Sequence, residues 1–167
     1  MTNPRTTSVI LTTLFYLTIN INYLWAEPTT LLKPEAKCPV CGMFVAKYTA
    51  WMAQILHVDG TRQTFDGVKD MLAYYYNPNK YSTIPASSIK EVWVKDYYSL
   101  DWIDGRKAFF VVGSNIFGPM GHEFIPFSTK EAADNFFQDH KGKQVLNFQE
   151  VDKTLVDTLR SGSTMNH

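Results

Sequence analysis

An order of elements that is read twice along one chain constrains this fold more than any single residue does. Trp51-Met52-Ala53-Gln54-Ile55-Leu56-His57-Val58 reads as a strand, Asp59-Gly60 as a two-residue hairpin turn, and residues 61–65 as the return strand. Asp66 suits a helix N-cap, and Val68, Met71, Leu72 and Tyr75 follow at helical spacing on one face. Asn77-Pro78-Asn79 stops that helix, and after a loop containing Pro85 residues 89–95 alternate as a strand. The second copy keeps the order. Asp104-Gly105 turns into a strand over 106–113 with a buried centre at Ala108-Phe109-Phe110-Val111-Val112, Gly118-Pro119-Met120-Gly121 turns again, and 122–127 return. Ser128 with Glu131 reads as a capping box, and Ala132, Ala133, Phe136 and Phe137 form the buried stripe of a helix that Gly142 ends. Residues 145–151 are the last strand. Phe65-Asp66 in the first copy answers Phe127-Ser128 in the second, as a duplication within the gene would leave them. The pattern predicts an α+β fold: two similar β-β-α-β lobes, over 38–96 and 97–160, forming one compact unit.

The ends of the chain read differently. Arg5 supplies a positive start, residues 6–23 are nearly free of charge, and Leu24-Trp25-Ala26 offers a small residue at a cut before Glu27. A signal peptide over 1–26 is expected, and with it a periplasmic protein. An uncleaved membrane anchor is the alternative, against which Asn20 and Asn22 count because they interrupt the apolar run. No Cys stands at the cut, so a lipoprotein anchor is not expected. Residues 27–37, with Pro28 and Pro34, read as a tether, and 161–167 as a disordered tail. Lys plus Arg equals Asp plus Glu at 16 each, and no basic run stands out, which argues against a nucleic-acid partner.

Chemistry concentrates in two short clusters. The chain has two cysteines, Cys38 and Cys41. In an oxidising compartment two cysteines usually make one structural disulfide. Here the bridge would close a tiny loop and gain little from chain entropy, so metal binding or thiol redox chemistry explains the spacing better. Cys38-Pro39-Val40-Cys41-Gly42-Met43 sets a thioether beside the two thiols. A structural zinc site would need a second Cys or His pair, whereas His57, His122, His140 and His167 are isolated. A thioredoxin-type motif opens a helix after a strand, whereas Gly42 and the strand-like Phe44-Val45-Ala46 follow here. A thiol-disulfide oxidoreductase using Cys38 and Cys41 stays as the alternative.

The second cluster is Gly118-Pro119-Met120-Gly121-His122-Glu123. Met120 in a glycine-proline turn has no helical or strand face to fill, which suggests a ligand. His122, two residues on, can point to the same side. Thiolate, thioether and imidazole form a soft donor set that selects copper(I) over hard cations. The candidate metal ligands are Cys41, Met120, Cys38, His122 and Met43. The plainer alternative makes Met120 a core filler and His122 a hydrogen-bonding partner near Glu123. His57 on its strand reads as structural, and His140 near a helix end suits the dipole. No Ser-His-Asp set, phosphate-cradling glycine loop or acid–base carboxylate pair stands out, so the expectation is a protein that is not an enzyme.

Four stretches together resemble the NosL family, the nitrous oxide reductase accessory proteins. They are residues 38–48, Cys38-Pro39-Val40-Cys41-Gly42-Met43-Phe44-Val45-Ala46-Lys47-Tyr48; Phe65-Asp66-Gly67-Val68-Lys69-Asp70-Met71; Trp102-Ile103-Asp104-Gly105-Arg106-Lys107-Ala108; and Gly118-Pro119-Met120-Gly121-His122-Glu123. The resemblance covers nearly all of 38–151. It implies a periplasmic copper(I) chaperone that supplies the copper centres of nitrous oxide reductase beside a membrane copper-loading transporter complex, and a fold of two similar β-β-α-β lobes. Many relatives carry a lipoprotein Cys near the amino terminus. This sequence has none there, which allows a freely soluble or differently anchored form. A homodimer sharing one copper and a transient membrane association stay open. The fold implied is also similar to that of organomercurial lyase, whose chemistry needs further cysteine and carboxylate groups that the sequence does not show.

Overall fold

The protein is described by a computed structural model over residues 27–162; the expected signal peptide at 1–26 and residues 163–167 of the expected tail lie outside the described residues. Among the described residues, two antiparallel sheets and three α-helices make up an α+β fold. The first sheet contains β1 (Ala53–His57), β2 (Arg62–Phe65), β3 (Ile89–Lys95) and β4 (Trp102–Asp104) in the order β2-β1-β3-β4. The second contains β5 (Phe109–Val112), β6 (Ile125–Phe127) and β7 (Gln144–Asn147) in the order β6-β5-β7. Helix α1 (Val68–Tyr76) follows β2, α2 (Lys130–Asp139) follows β6, and α3 (Lys153–Arg160) closes the described chain. Each lobe thus carries its helix after a hairpin return strand, as expected.

The Asp59-Gly60 turn, expected over two residues, takes three: the His57 N–H donates to the Thr61 carbonyl at 2.9 Å, which leaves Val58, Asp59 and Gly60 as the loop. Gly60 takes a positive φ of 85°, and the Thr61 N–H donates to Asp59 Oδ1 at 2.8 Å. β1 pairs on both sides, with Ala53 opposite Phe65 on β2 and Val94 on β3. All five of its residues are buried. Two of them are polar and satisfied. Gln54 Oε1 accepts from Arg62 and from the Thr29 N–H, and His57 bonds Ser88 and Tyr74 through its two ring nitrogens.

The core spans both lobes. α1 buries Val68, Met71, Leu72 and Tyr74 among β1 and β3, while Tyr75 stays half-buried. α3 adds Val156 and Leu159, and β5 sends Phe110 and Val112 into the same core. Val111, alternating to the other face of β5, joins Ile125, Phe127, Ala133 and Phe136 beneath α2. The second sheet is therefore covered on both faces, which is why β5 reads as an unbroken apolar run.

Several local expectations are corrected. Asp66 is not the N-cap of α1. Gly67 holds that position with no side-chain cap, because a carboxylate from the other lobe reaches the helix instead. The α2 cap is Thr129, whose Oγ1 accepts the Ala132 N–H at 3.2 Å; the Ser128 N–H is committed to Asp96 Oδ2 at 2.7 Å. The strands of the second copy are shorter than expected. The Lys107 and Ala108 N–H groups both return to the Asp104 carbonyl, and the Phe124 N–H goes to the Glu123 side chain, so neither joins a ladder. β7 stops at Asn147, which forms a capping box with Glu150 over a short 3₁₀ turn. No helix among the described residues is long and apolar enough to cross a membrane.

Candidate metal centre

Residues 38–43 fold back on themselves as a closed turn. Lys37 bridges Phe44, the Cys38 N–H donates to the Met43 carbonyl at 2.9 Å, and the Gly42 N–H donates to the Cys38 carbonyl at 2.9 Å. Gly42 sits at φ 79°, where a side chain would be strained. The turn faces Asp66, just past β2, and Asp70, in the first turn of α1. The Cys41 thiol donates to Asp66 Oδ1 at 3.2 Å and the Cys38 thiol to Asp70 Oδ2 at 3.5 Å. Both cysteines are free, and one ligand atom from each of Cys38, Cys41, Asp66 and Asp70 lies within 4.8 Å of all the others. Cys38, Asp66 and Asp70 are buried, and Cys41 is half-buried at the rim. Asp70 is held from behind: its Oδ1 accepts from Arg160 Nε at 3.2 Å, and Arg160 also donates to the Tyr81 hydroxyl. The last residue of α3 thus offsets charge at the site.

Burial, with the Asp66 carboxylate beside it, pushes the Cys38 thiol far above the ordinary cysteine range. Burial also raises Cys41, opposed by the Met43 N–H and reinforced by Asp70 and Asp66, so its thiol is pushed up to about 12. Without metal the pocket holds two protonated thiols against carboxylates. An incoming cation must displace the thiol protons to bind sulfur.

The glycine turn forms as expected. The Gly118 N–H donates to the Gly121 carbonyl at 2.8 Å, and Gly121 takes φ 86°. Met120 is 49% exposed, so it does not plug the core. Exposed Phe117 lies 4.9 Å from the half-buried His122 ring, centroid to centroid. Glu123 turns inward and is buried, and burial pushes its carboxyl up to about 8 despite Lys69 nearby. The turn is docked on the start of α1, because Lys69 Nζ donates to the Met120 carbonyl at 2.8 Å.

Of the five expected ligands, the structure brings Cys38 and Cys41 to a single pocket. Met43 is half-buried at the end of their turn. His122 lies outside the four-donor group, and Met120 projects from the docked turn. Asp66 and Asp70 are the residues that the sequence reading missed as site members. Their spacing of four across the start of α1 was a usable signal, but Asp66 also fitted a helix cap.

A family model described as NosL matches residues 28–156. The chain is similar to the copper-binding lipoprotein NosL of Stutzerimonas stutzeri, 28% identical over 136 residues that cover 78% of this chain and 68% of the relative. It is also similar to the crystal structure of the copper chaperone NosL from Shewanella denitrificans. There the TM-score is 0.61 at 25% identity, with 77% of this chain and 99% of that one covered.

Proposed function

Since this chain belongs to the NosL family, we propose that it is an exported copper(I) chaperone that delivers copper to nitrous oxide reductase while that enzyme's copper centres are assembled. The observation that carries the reading is a pocket with two free thiols and two carboxylates, open to the surface at Cys41. Copper is the cargo. Cys38 and Cys41 are its anchoring donors, and the thioethers of Met120 and Met43 with the His122 imidazole are the groups that complete a soft coordination sphere. The difference in burial gives the exchange a direction. Cys38 keeps the ion while half-buried Cys41 and exposed Met120 yield their positions to an acceptor's ligands. The acceptors are nitrous oxide reductase and its membrane copper-loading transporter complex, reached in the periplasm. The lipoprotein relative supports export.

The alternative thiol-disulfide exchange is disfavoured by the electrostatics. The thiolate is the attacking species, and redox cysteines sit where their pKa is lowered, whereas burial and carboxylates raise both thiols here. The paired carboxylates favour a second reading, a harder ion such as zinc(II), which accepts sulfur and oxygen ligands together. Competition against a chelator on anaerobically reduced protein decides between them. The expected result is about one copper(I) per chain, held far more tightly than zinc(II). Equal affinity for zinc sinks the copper reading.

A further inference from the structure

The thiol pocket belongs to the first lobe and the glycine turn to the second, yet both are mounted on the first turn of α1. Glu123 makes that mounting. It is 4% exposed, and its Oε1 accepts the Lys69 N–H at 2.5 Å and the Phe124 N–H at 2.9 Å. The Lys69 N–H is one of the donors that every helix start leaves without a partner inside the helix. The first lobe offers α1 no side-chain cap. An acceptor oxygen suits that place because the helix dipole is positive there. Gly67 is part of the same fit. Its φ of −163° is open to any residue, but a Cβ there would overlap Glu123 Oε2. The position therefore demands the absence of a side chain, which leaves room for a carboxylate from the other lobe. Lys69 closes the clamp from its other end, through Nζ to the Met120 carbonyl. Asp70, which accepts the Cys38 thiol, is the next residue along the helix.

From this geometry we infer that Glu123 is a positioning residue for copper, docking the Met120 turn on α1 so that the thioether is presented beside the thiol pocket. The inference rests on the reading of Met120 as a copper donor. Glu123 acts through the turn and does not bind the ion. Without it the exposed turn keeps its own hydrogen bonds and the Lys69 contact, and the freedom it regains must be lost again whenever copper binds.

The test measures copper(I) affinity of the reduced full chain by chelator competition, with copper K-edge absorption to count sulfur ligands. Glu123→Ala is expected to weaken binding about 10- to 100-fold, as loss of a supporting outer-shell partner does. It should also remove one sulfur from the copper shell, as Met120→Leu does. The double variant should bind no more weakly than either single one, because both changes remove the same interaction. Glu123→Gln, which keeps an acceptor for the Lys69 N–H, should recover most of the loss. Gly67→Ala reaches the same end with Glu123 intact, by pushing the carboxylate off the helix, and it carries the test if Glu123→Ala does not fold. Wild-type affinity in Gly67→Ala, or losses from Glu123→Ala and Met120→Leu that add in full, overturns the positioning role while the copper reading stands. Wild-type affinity in Met120→Leu overturns the donor reading, and the inference with it.

Discussion

The two lobes start their helices from equivalent positions in a shared pattern and solve the same problem in different ways. In the second lobe, Phe127 leaves β6, Thr129 caps α2 from within its own segment, and the helix keeps one face in solvent. In the first, Phe65 leaves β2, and the residue after it does no capping. Glu123 supplies the acceptor from 54 residues away, and Asp66 turns to the Cys41 thiol. Because a distant carboxylate meets the helix's need, the local one is released to build a site. The difference explains how, of two similar lobes, the first comes to hold the group of two thiols and two carboxylates. In the second lobe the position matching Asp66 holds Ser128, whose N–H is spent on the joint between the lobes.

The largest test of that asymmetry is Cys41→Ser. A hydroxyl is a hard donor and a poor partner for copper(I), so the loss should exceed the roughly 100-fold upper range of outer-shell changes. Chelator competition measures it. A smaller loss would mean that the first lobe's thiols are not the principal donors, and the division of labour between the lobes would fail.

Asp96 at the joint gives a middle-sized effect with a defined pH sign. Its Oδ1 accepts the Tyr98 and Ser99 N–H groups and its Oδ2 the Ser128 N–H. Burial works against its charge, but the N–H groups of Ser99, Ser128 and Tyr98 outweigh it and hold the carboxyl below the usual carboxylate range. A folded pKa below the unfolded one means that the fold favours the charged form. The stabilisation is therefore fully present above an unfolded pKa of about 4 and is lost as pH falls through the folded value. Asp96→Asn offers one carbonyl oxygen where two carboxylate oxygens served three donors, and should cost about 1–3 kcal/mol at neutral pH. Denaturant melts from pH 7 down to pH 3 should show that gap narrowing only below about pH 4. A constant gap would mean that the charge is not what ties the lobes.

Much of the frame was legible in the sequence because its causes are local. The Asp59-Gly60 turn, β3 over Ile89–Lys95, and the end of α1 before Pro78 follow from turn chemistry and alternation. β4 escaped because three half-buried residues carry little pattern of their own; the strand exists by pairing with β3. α3 had a readable start, with Asp152 Oδ1 accepting the Leu155 N–H at 2.7 Å, but no counterpart in the repeat to draw the eye to it. The thiols and the glycine turn were visible as chemistry. Asp66 and Asp70 were not, because a carboxylate before a helix reads as a cap unless its distant replacement is known.

The smallest expected effect tests that last point most directly, by comparing the equivalent starts of the two helices. Thr129→Ala removes a local cap and should cost about 1 kcal/mol, read as a shift in the denaturant midpoint at constant slope. At position 66 the step from Asn, which can also cap, to Ala should cost nothing of this kind, because α1 never used the Asp66 side chain as its cap. Asp66 is instead a buried acid held against a raised thiol, and a neutral amide of nearly the same volume avoids the desolvation that a buried carboxylate suffers. Stability equal to or above that of the wild type is the expected result for Asp66→Asn, together with changed copper affinity, since the residue lies within the donor group. If Asp66→Ala instead loses about 1 kcal/mol more than Asp66→Asn, as Thr129→Ala does against the wild type, Asp66 is serving the helix after all. The two lobes would then be capped alike, and the release of Asp66 to the metal pocket would no longer explain why the site lies in the first.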